Sequence, residues 1–553
     1  MSKPRNSFLN LVLPVVILLL LACKPATVKE PPKETQDAAR FTLVVLHTND
    51  THSRFLQFNK HGNTCNDEEA AASECFGGVA RRVTEINRIR SQEQNVILVD
   101  AGDQFQGTLF YTLYRSAPAI KFMNMLGYDA MTLGNHEFDD GPEELAKLVQ
   151  GLKFPVVSAN IDFSLEPLLK GSIQPYVIKE IDGNKVGILG VTTEDVPEIS
   201  EPGPNVMVGL IQPAIEKTVT ELENQGVKII ILLSHSGLAR DLELATSVAG
   251  VDIIVGGHTH SLLSNTDPAA EGTYPIMMTS PADEPVLVVT AQAWGKYLGD
   301  LKVIFDSEGV VDEWSGDPIL LDNSVPEDTA VLQEVINMST QLVQLRAQKV
   351  GRSTVDLGAL NEGCRYAECN LGDLITDAML WETKDQGMQI AFYNGGGIRT
   401  SLPEGEISME QVLEVLPFFD TVATMGLKGA DVREALEYSV SRAESTQNEG
   451  TGRFLQVSGL RFNWNPDAGV GSRVTRVEVR NPDGTYTALD DNMVYKVAVT
   501  DYLRGGGDGY TIFAERAIDP YDFGRAVSDI LVEYLETNSP VSPGLEGRIS
   551  KGK

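Results

Sequence analysis

The sequence predicts an α/β protein of more than one domain. Three observations carry that prediction: short apolar runs alternate with helical patterns over residues 41–320, the chain is 553 residues long, and the pattern becomes more mixed beyond about residue 350. A prior of roughly 150 residues per domain allows two to four domains. Apolar residues make up 42%, enough for ordinary cores, and the 22% of charged residues is too little for wholesale disorder. After residue 40 no window is apolar over the roughly 18 residues that a membrane-spanning helix needs.

The first residues are a different kind of segment. Lys3 and Arg5 precede an almost wholly apolar stretch, Leu9 to Leu21, interrupted by Asn10 and Pro14 and followed by Ala22-Cys23. A basic start, an apolar centre and a small residue before a cleavage point describe a secretory signal. The cysteine straight after the small residue resembles a bacterial lipoprotein signal, with residues 1–23 as the signal and Cys23 as the lipidated residue. An ordinary signal peptide or an uncleaved anchor is the alternative. Lys24 rather than Asp follows the cysteine, which by analogy favours the outer membrane. The expected location is therefore exported and lipid-anchored to a bacterial membrane. Residues 24–40, rich in Pro, Lys and Glu, read as a flexible tether.

From residue 41 to 325 the candidate strands are Thr42–Leu46, Val96–Val99, Ala130–Thr132, Val156–Ala159, Val186–Val191, Lys228–Leu233, Asp252–Val255 and Val286–Thr290. They are rich in Val, Ile and Leu, as expected of strands buried on both faces. Helical patterns lie between them, at Gly78–Arg90, Pro142–Gly151 and Gln212–Gln225. Strands alternating with helices argue for a layered α/β domain. Residues 326–349 form a helical pattern with Val331, Val335, Met338 and Leu342 on one face, read as a helix joining two domains. The second domain, 350–553, mixes helices (Gly372–Lys384, Ser408–Val415, Gly429–Glu444) with strands such as Gln389–Tyr393 and Lys496–Thr500.

Five cysteines become four once Cys23 carries lipid, and these form two close pairs, Cys65/Cys75 and Cys364/Cys369. In an oxidising compartment an even count suggests two disulfides. Three connectivities are open, and the local one is the natural choice. A metal site is the alternative, although no CxxC spacing is present. The net charge of −32 argues against binding nucleic-acid polymers, which needs a basic footprint. A site for small anions on such a chain must carry its own positive charge, from metals and arginines.

Five segments share one arrangement, in which an apolar strand ends and metal-type ligands follow at once. They are Asp50-Thr-His52, Gly102-Asp103, Gly134-Asn135-His136-Glu-Phe-Asp139, Ser234-His235 and Gly256-Gly-His258-Thr-His260. Sites in open α/β sheets form beyond the carboxyl ends of strands, so these five ends are expected to meet in one crevice. Carboxylate and imidazole together suit two divalent cations such as Zn, Mn, Fe or Co, with a carboxylate such as Asp103 bridging them. A lone histidine is usually surface or satisfied core. Here five of the chain's seven histidines lie in these segments, which chance clustering does not explain; His47 and His61 are left structural.

These motifs resemble the metallophosphoesterase superfamily, and within it the 5′-nucleotidase/UDP-sugar hydrolase family. The similarity runs through Asn49-Asp-Thr-His-Ser53, Asp100-Ala-Gly-Asp-Gln-Phe-Gln-Gly107, Gly134–Asp139, Ser234–Gly237 and Gly256–His260. It continues into the second domain at Cys364-Arg-Tyr-Ala-Glu-Cys-Asn370, Asn394-Gly-Gly-Gly-Ile-Arg399, Leu416-Pro-Phe418 and Gly505–Tyr510. Each motif is moderately specific, and their order together is highly specific. The resemblance implies a four-layer α/β metallophosphoesterase domain followed by a mixed α/β nucleotide-binding domain.

Carried over residue by residue, the resemblance assigns one ion to Asp50, His52, Asp103 and His260, and the other to Asp103, Asn135, His235 and His258. His260 departs from relatives that carry Asn or Gln there. His136 and Asp139 match the catalytic pair, Asp139 orienting the imidazole that meets charge on the phosphoryl oxygens. The alternative for Asp139 is a turn or helix cap before Gly141. Phe418 and Tyr502 match two rings that sandwich the base, Tyr502 standing where the animal ecto-enzymes have Phe; either ring alone reads as core. Asp508 matches a ribose contact, Asn394 a base contact, and Arg365 and Arg399 phosphate-binding arginines. Relatives rotate the second domain between open and closed states, which makes residues 326–349 the candidate hinge.

The function expected is extracytoplasmic hydrolysis of nucleoside 5′-monophosphates, with di- and triphosphates and UDP-sugars as further candidates. A 2′,3′-cyclic-nucleotide phosphodiesterase, a thiosulfohydrolase relative and a non-catalytic nucleoside-binding surface lipoprotein are the alternatives. The last would show decay of the ligand set, and none is seen.

Overall fold

Each strand at the centre of the first domain buries both of its faces, and that fixes how the layers stack. In the computed structural model, which describes residues 40–358, 363–443, 452–522 and 524–552, Leu43 and Val45 point one way and Val44 and Leu46 the other. This is the period-two alternation of a strand. Leu43 and Val45 meet Ile97, Val99, Ile188, Ile231 and Val255 in a core between two sheets. Val44 and Leu46 meet the helices Val79–Gln92, Ala117–Leu126 and Gly141–Gly151 on the outside. The result is four layers, helix, sheet, sheet and helix.

The first sheet orders its main strands as Val311–Gly316, Tyr297–Phe305, Phe41–Thr48, Val96–Asp100, Ala130–Thr132 and Val156–Val157. The last four run parallel, with Val45 opposite Ile97 and Val99 opposite Ala130. The second sheet runs Ile276–Thr279, Pro285–Val289, Ile253–Gly256, Ile229–His235, Asn184–Thr192 and Tyr176–Ile181, parallel at its centre and antiparallel at both edges. Its outer face carries Ile211–Glu223 and Leu238–Ser247. Three of the five ligand-bearing strand ends belong to the first sheet and two to the second, and sandwich packing brings them to one crevice.

The single helix expected over 326–349 is corrected. The chain forms two helices, Thr329–Ser339 and Leu342–Ala347, then the strand Lys349–Ser353. Asp328 starts the first by accepting from the backbone of Ala330 and Val331, each at 3.0 Å. Ser339 and Thr340 end it by turning their hydroxyls onto the carbonyls of Ile336 and Asn337, a competition that loosens helix interiors. The first helix buries Val331 and Val335 in the first domain's core, while Arg346 of the second bonds Glu410 of the second domain at 2.5 and 2.8 Å.

The second domain is built on a mixed sheet, Leu455–Ser458, Ile390–Asn394, Val494–Thr500, Val422–Lys428 and Ile518–Tyr521. Helices Asn370–Thr383 and Val527–Asn538 cover one face, and Gly429–Ser439 with a smaller four-stranded sheet covers the other. Helix Gly429–Ser439 stops short of the expected Glu444, which lies outside the described residues. So do the signal, Cys23 and tether residues 24–39. Both disulfides are local, Cys65–Cys75 and Cys364–Cys369. Among the described residues no helix is long and apolar enough to cross a membrane.

Candidate active site

Two loops that leave neighbouring parallel strands are sewn together by main-chain bonds. After Phe41–Thr48 the Asp50 N–H donates to the Gly102 carbonyl at 2.9 Å, and the His52 N–H to the Asp103 carbonyl at 3.0 Å. This pairing forces Asp50, His52 and Asp103 to φ of 49°, 47° and 59°. From the second sheet His258 and His260 take φ of 79° and 56°. Non-glycine residues rarely adopt this left-handed region, and when several do so together the surroundings impose it, commonly at functional sites. Gly134 makes the close approach possible: a Cβ there would lie 2.0 Å from Asp103 Oδ1.

The side chains converge in two main donor groups. Asp50, His52 and His260 form one, and Asp103, His235 and His258 the other, each with ligand atoms within 4.8 Å of one another. Asp103 Oδ2 faces both, 3.8 Å from His52 Nε2 and 3.1 Å from His235 Nε2. His260 Nε2 is 3.4 Å from Asp50 Oδ1, and Asn135 Oδ1 is 3.0 Å from His258 Nδ1. His52 Nδ1 donates to the Phe105 carbonyl at 2.9 Å and His235 Nδ1 to the Ala101 carbonyl at 2.7 Å. Each bond sets the tautomer and leaves an Nε2 lone pair aimed at the cluster. His235 Nε2 is buried and faces Asp103 Oδ2, and although burial would lower its pKa, Asp103 and Asp50 raise it to about 10, so a cation bound here would have to displace its proton. Burial, reinforced by Arg399, holds His52 well below the usual imidazole range, and burial with His235 brings His258 down to about 4. Both stay neutral near pH 7, the form that ligates. Carboxylates and neutral imidazoles in two adjoining groups fit a pair of borderline divalent cations.

His136 sits beside this cluster. Its Nδ1 is 2.6 Å from Asp139 Oδ2, and its Nε2 is 4.0 Å from Asp103 Oδ2. Burial would lower its pKa, but Asp139 and Asp103 outweigh burial and raise it. It also closes a third donor group with His52 and Asp103. Between His136 and Asp139 lies Glu137, fully buried, whose carboxylate accepts from the backbone N–H groups of Asp103, Gln104, Phe105 and Gly134 at 2.9, 2.8, 3.2 and 2.6 Å. One side chain thus locks the Asp103 loop to the Asn135–His136 loop.

The cluster opens into a cavity of about 560 Å³ walled by both domains. Arg365 and Arg399 line it near the histidines, and Arg399 Nη2 is 3.4 Å from His52 Nε2. Phe418 stacks on His136, ring centroids 5.9 Å apart, and Arg399 lies over the Phe418 ring at 5.8 Å. Farther out, Asp508 accepts from Asn394 Nδ2 at 2.7 Å and from the Tyr502 hydroxyl at 3.1 Å. Asp501 joins the two aromatic segments, accepting from the backbone of Thr421 and Tyr502 at 2.9 and 3.0 Å. The far wall is the first-domain segment around Val196–Ile199. There Asp195 bonds Arg442 at 2.7 Å, and Ser200 Oγ donates to the Asn135 carbonyl at 2.8 Å.

Comparison with known proteins agrees with this geometry. Residues 43–262 match the calcineurin-like phosphoesterase family, and residues 349–515 match the 5′-nucleotidase, C-terminal domain. The chain is 40% identical over 532 residues to a snake venom 5′-nucleotidase of Naja atra, covering 92% of this chain and 98% of that one. It is 38% identical to a 5′-nucleotidase of Homo sapiens, covering 93% and 91%. The chain belongs to the 5′-nucleotidase family. Among solved structures, a 5′-nucleotidase precursor from Thermus thermophilus superposes with a TM-score of 0.87 at 42% identity, over 92% of this chain and 99% of that one.

Within this 5′-nucleotidase fold, the structure brings all seven expected ligand residues to one cluster and sets His136 and Asp139 against it. Arg365, Asn394, Arg399, Phe418, Tyr502 and Asp508 all line the same cavity. Phe418 and Tyr502 are cavity walls rather than core. Sequence reasoning missed Glu137, Ser200, Asp420 and Asp501. Glu137 stood inside a quoted motif, but only its four backbone donors reveal its work. Ser200 and Asp501 gave no signal because Asn135 and Thr421, which they meet, lie far away in sequence, and Asp420 gave none because only the packed cavity shows what it faces.

Proposed function

We propose that this chain is an exported, metal-dependent 5′-nucleotidase that releases phosphate from nucleoside 5′-monophosphates. The observation that carries the proposal is the layout of the cavity: donor groups for two cations at one end, the Asn394–Tyr502–Asp508 group at the other, and Phe418 with two arginines between. Asp50, His52, Asp103 and His260 would hold one cation, and Asp103, Asn135, His235 and His258 the other, with Zn, Mn or Co as candidates. Two such cations, when bound, neutralise phosphoryl charge and lower the pKa of the attacking water. Arg365 and Arg399 grip the phosphoryl group, their planar forks suited to its oxygens. His136, held by Asp139, stabilises the charge that builds on those oxygens. Phe418 and Tyr502 stack the base, and stacking tolerates any base because each has a π face. Asp508, already oriented by Asn394 and Tyr502, meets the ribose hydroxyls.

The domain boundaries we propose are 41–325 for the phosphoesterase domain, 326–349 for the linker and 350–553 for the nucleoside-binding domain. Export agrees with the two disulfides. Anchoring through Cys23 rests on the sequence of residues 1–23 alone.

The test incubates purified residues 24–553 with AMP, ADP, UDP-glucose and 2′,3′-cyclic AMP, with and without added Mn²⁺ or Zn²⁺. Metal-dependent phosphate release from AMP is expected. Turnover of the cyclic nucleotide alone would keep the metal site and overturn the substrate. No turnover of any of them would move the reading to a binding lipoprotein.

A further inference from the structure

Three carboxyls line the nucleoside end of the cavity, and two of them already accept hydrogen bonds from this chain. Asp501 accepts from Thr421 N, Thr421 Oγ and Tyr502 N, and Asp508 from Asn394 and Tyr502. The third, Asp420, is half-buried and lines the cavity, yet its carboxyl accepts no hydrogen bond from any described residue. Its backbone is held firmly: the Val527 N–H donates to the Asp420 carbonyl at 2.9 Å, and Asp501 takes the next residue along. On its other side Phe419 has φ of 60°, a conformation that a bulky residue keeps only under constraint. Phe418 and Asp420, flanking that residue, both reach the cavity. A stacking ring and an unengaged carboxyl are therefore carried by one rigid loop.

We propose that Asp420 reads the edge of the base: its carboxyl accepts a hydrogen bond from an N–H of the base stacked on Phe418, so that bases bearing an amino group are favoured. The assignment rests on the nucleotidase reading above. Burial, with Asp501, Asp508 and Asp139 nearby, brings the Asp420 carboxyl up to about 7. Both of its protonation states offer an acceptor to an amine, and carboxylates serve the same role toward amino groups of bases elsewhere. A base without a donor leaves that half-buried acceptor without a partner on the substrate. Sites built to bond a substrate N–H reject the analogue that lacks it far more strongly than apolar pockets reject a missing methylene.

The decisive pair of substrates is AMP and purine riboside 5′-monophosphate, which differ only in the 6-amino group. The latter presents no N–H on its base. In the Mn²⁺- or Zn²⁺-loaded wild type, AMP is expected to lead by about tenfold or more in kcat/KM. Asp420→Ala should bring the ratio to within about twofold, through loss on AMP, while turnover of the amino-free substrate persists. Asp420→Val, close to Asp in bulk, is the second variant and should behave alike, so either folded variant decides. A ratio unchanged by substitution, or a wild type that does not distinguish the two substrates, would overturn the role of Asp420. A wild type that hydrolyses neither overturns the nucleotidase reading itself, a result distinct from a working enzyme with an indifferent Asp420.

Discussion

At His136 burial pulls the pKa down, and two carboxylates, Asp139 and Asp103, outweigh it and raise the pKa above the usual imidazole value. Removing the imidazole should lower kcat by about 10²- to 10³-fold, the range for loss of one donor aimed at developing charge. His136→Ala should retain bound metal, measured by elemental analysis, because seven other donors remain. Loss of metal instead would move His136 into the ligand set. Glu137 is a second single-residue case. Glu137→Gln swaps one acceptor oxygen for an amide that faces backbone N–H groups, so about 1–3 kcal/mol of stability should go. Thermal melting with and without Zn²⁺ reads this. A variant that melts as wild type in both states would mean that the two loops hold each other without Glu137.

The linker and the loop bearing Cys65–Cys75 meet the second domain on one helix, Met409–Val415. Arg346 bonds Glu410, while Asn63 and Thr64 bond Glu414 at 3.3 and 3.2 Å. Burial and Glu410 drive Glu414 up to about 8 from an ordinary 4.5, with Arg54 and Arg346 opposing. A carboxyl raised on folding contributes stability that is whole below about pH 4.5 and lost as pH climbs through about 8. Glu414→Gln has no such loss. Its melting temperature should therefore gain on wild type between pH 5 and pH 9, by the equivalent of about 1–2 kcal/mol or a few degrees. A difference that stays flat across that range would show Glu414 ionised throughout. This seam also explains why one helix was expected where two exist. The apolar spacing of Val331, Val335, Met338 and Leu342 is continuous, whereas the break at Ser339–Thr340 serves two docking partners that the spacing cannot reveal.

At the scale of the whole molecule, the cavity has walls from both domains, and we predict that exchange of nucleotide and nucleoside proceeds by their parting. At the cavity rim Asp195 pairs with Arg442 across the domains at 2.7 Å, both groups about a third or more exposed. An exposed pair of this kind holds weakly, about 0–1 kcal/mol. Replacing that pair with a covalent one tests the motion. Asp195→Cys with Arg442→Cys, bridged by a short bismaleimide, should cut steady-state turnover of AMP by tenfold or more relative to each single cysteine variant treated alike. Full turnover in the bridged protein would show that exchange needs no opening at this rim.

The parallel strands were legible because burial on both faces makes their letters uniformly apolar, as in Ile229–His235. The antiparallel Tyr297–Phe305 went unread because its alternating, partly charged letters resemble a solvated edge. The metal cluster was legible because each ligand follows a strand directly, so local chain direction places it. Sequence alone therefore determined the layered α/β class, the histidine-rich strand ends and the family, and it favoured the local cysteine pairing that the structure shows. Tertiary structure decided the rest: that the strand ends come from two sheets rather than one, that Glu137 ties two loops, and that Asp420 faces the cavity without a partner. The physical reason is reach. Periodicity and caps act over a few residues, whereas Asp103 meets His235 and Asn394 meets Asp508 only after two sheets or two segments over a hundred residues apart have packed together.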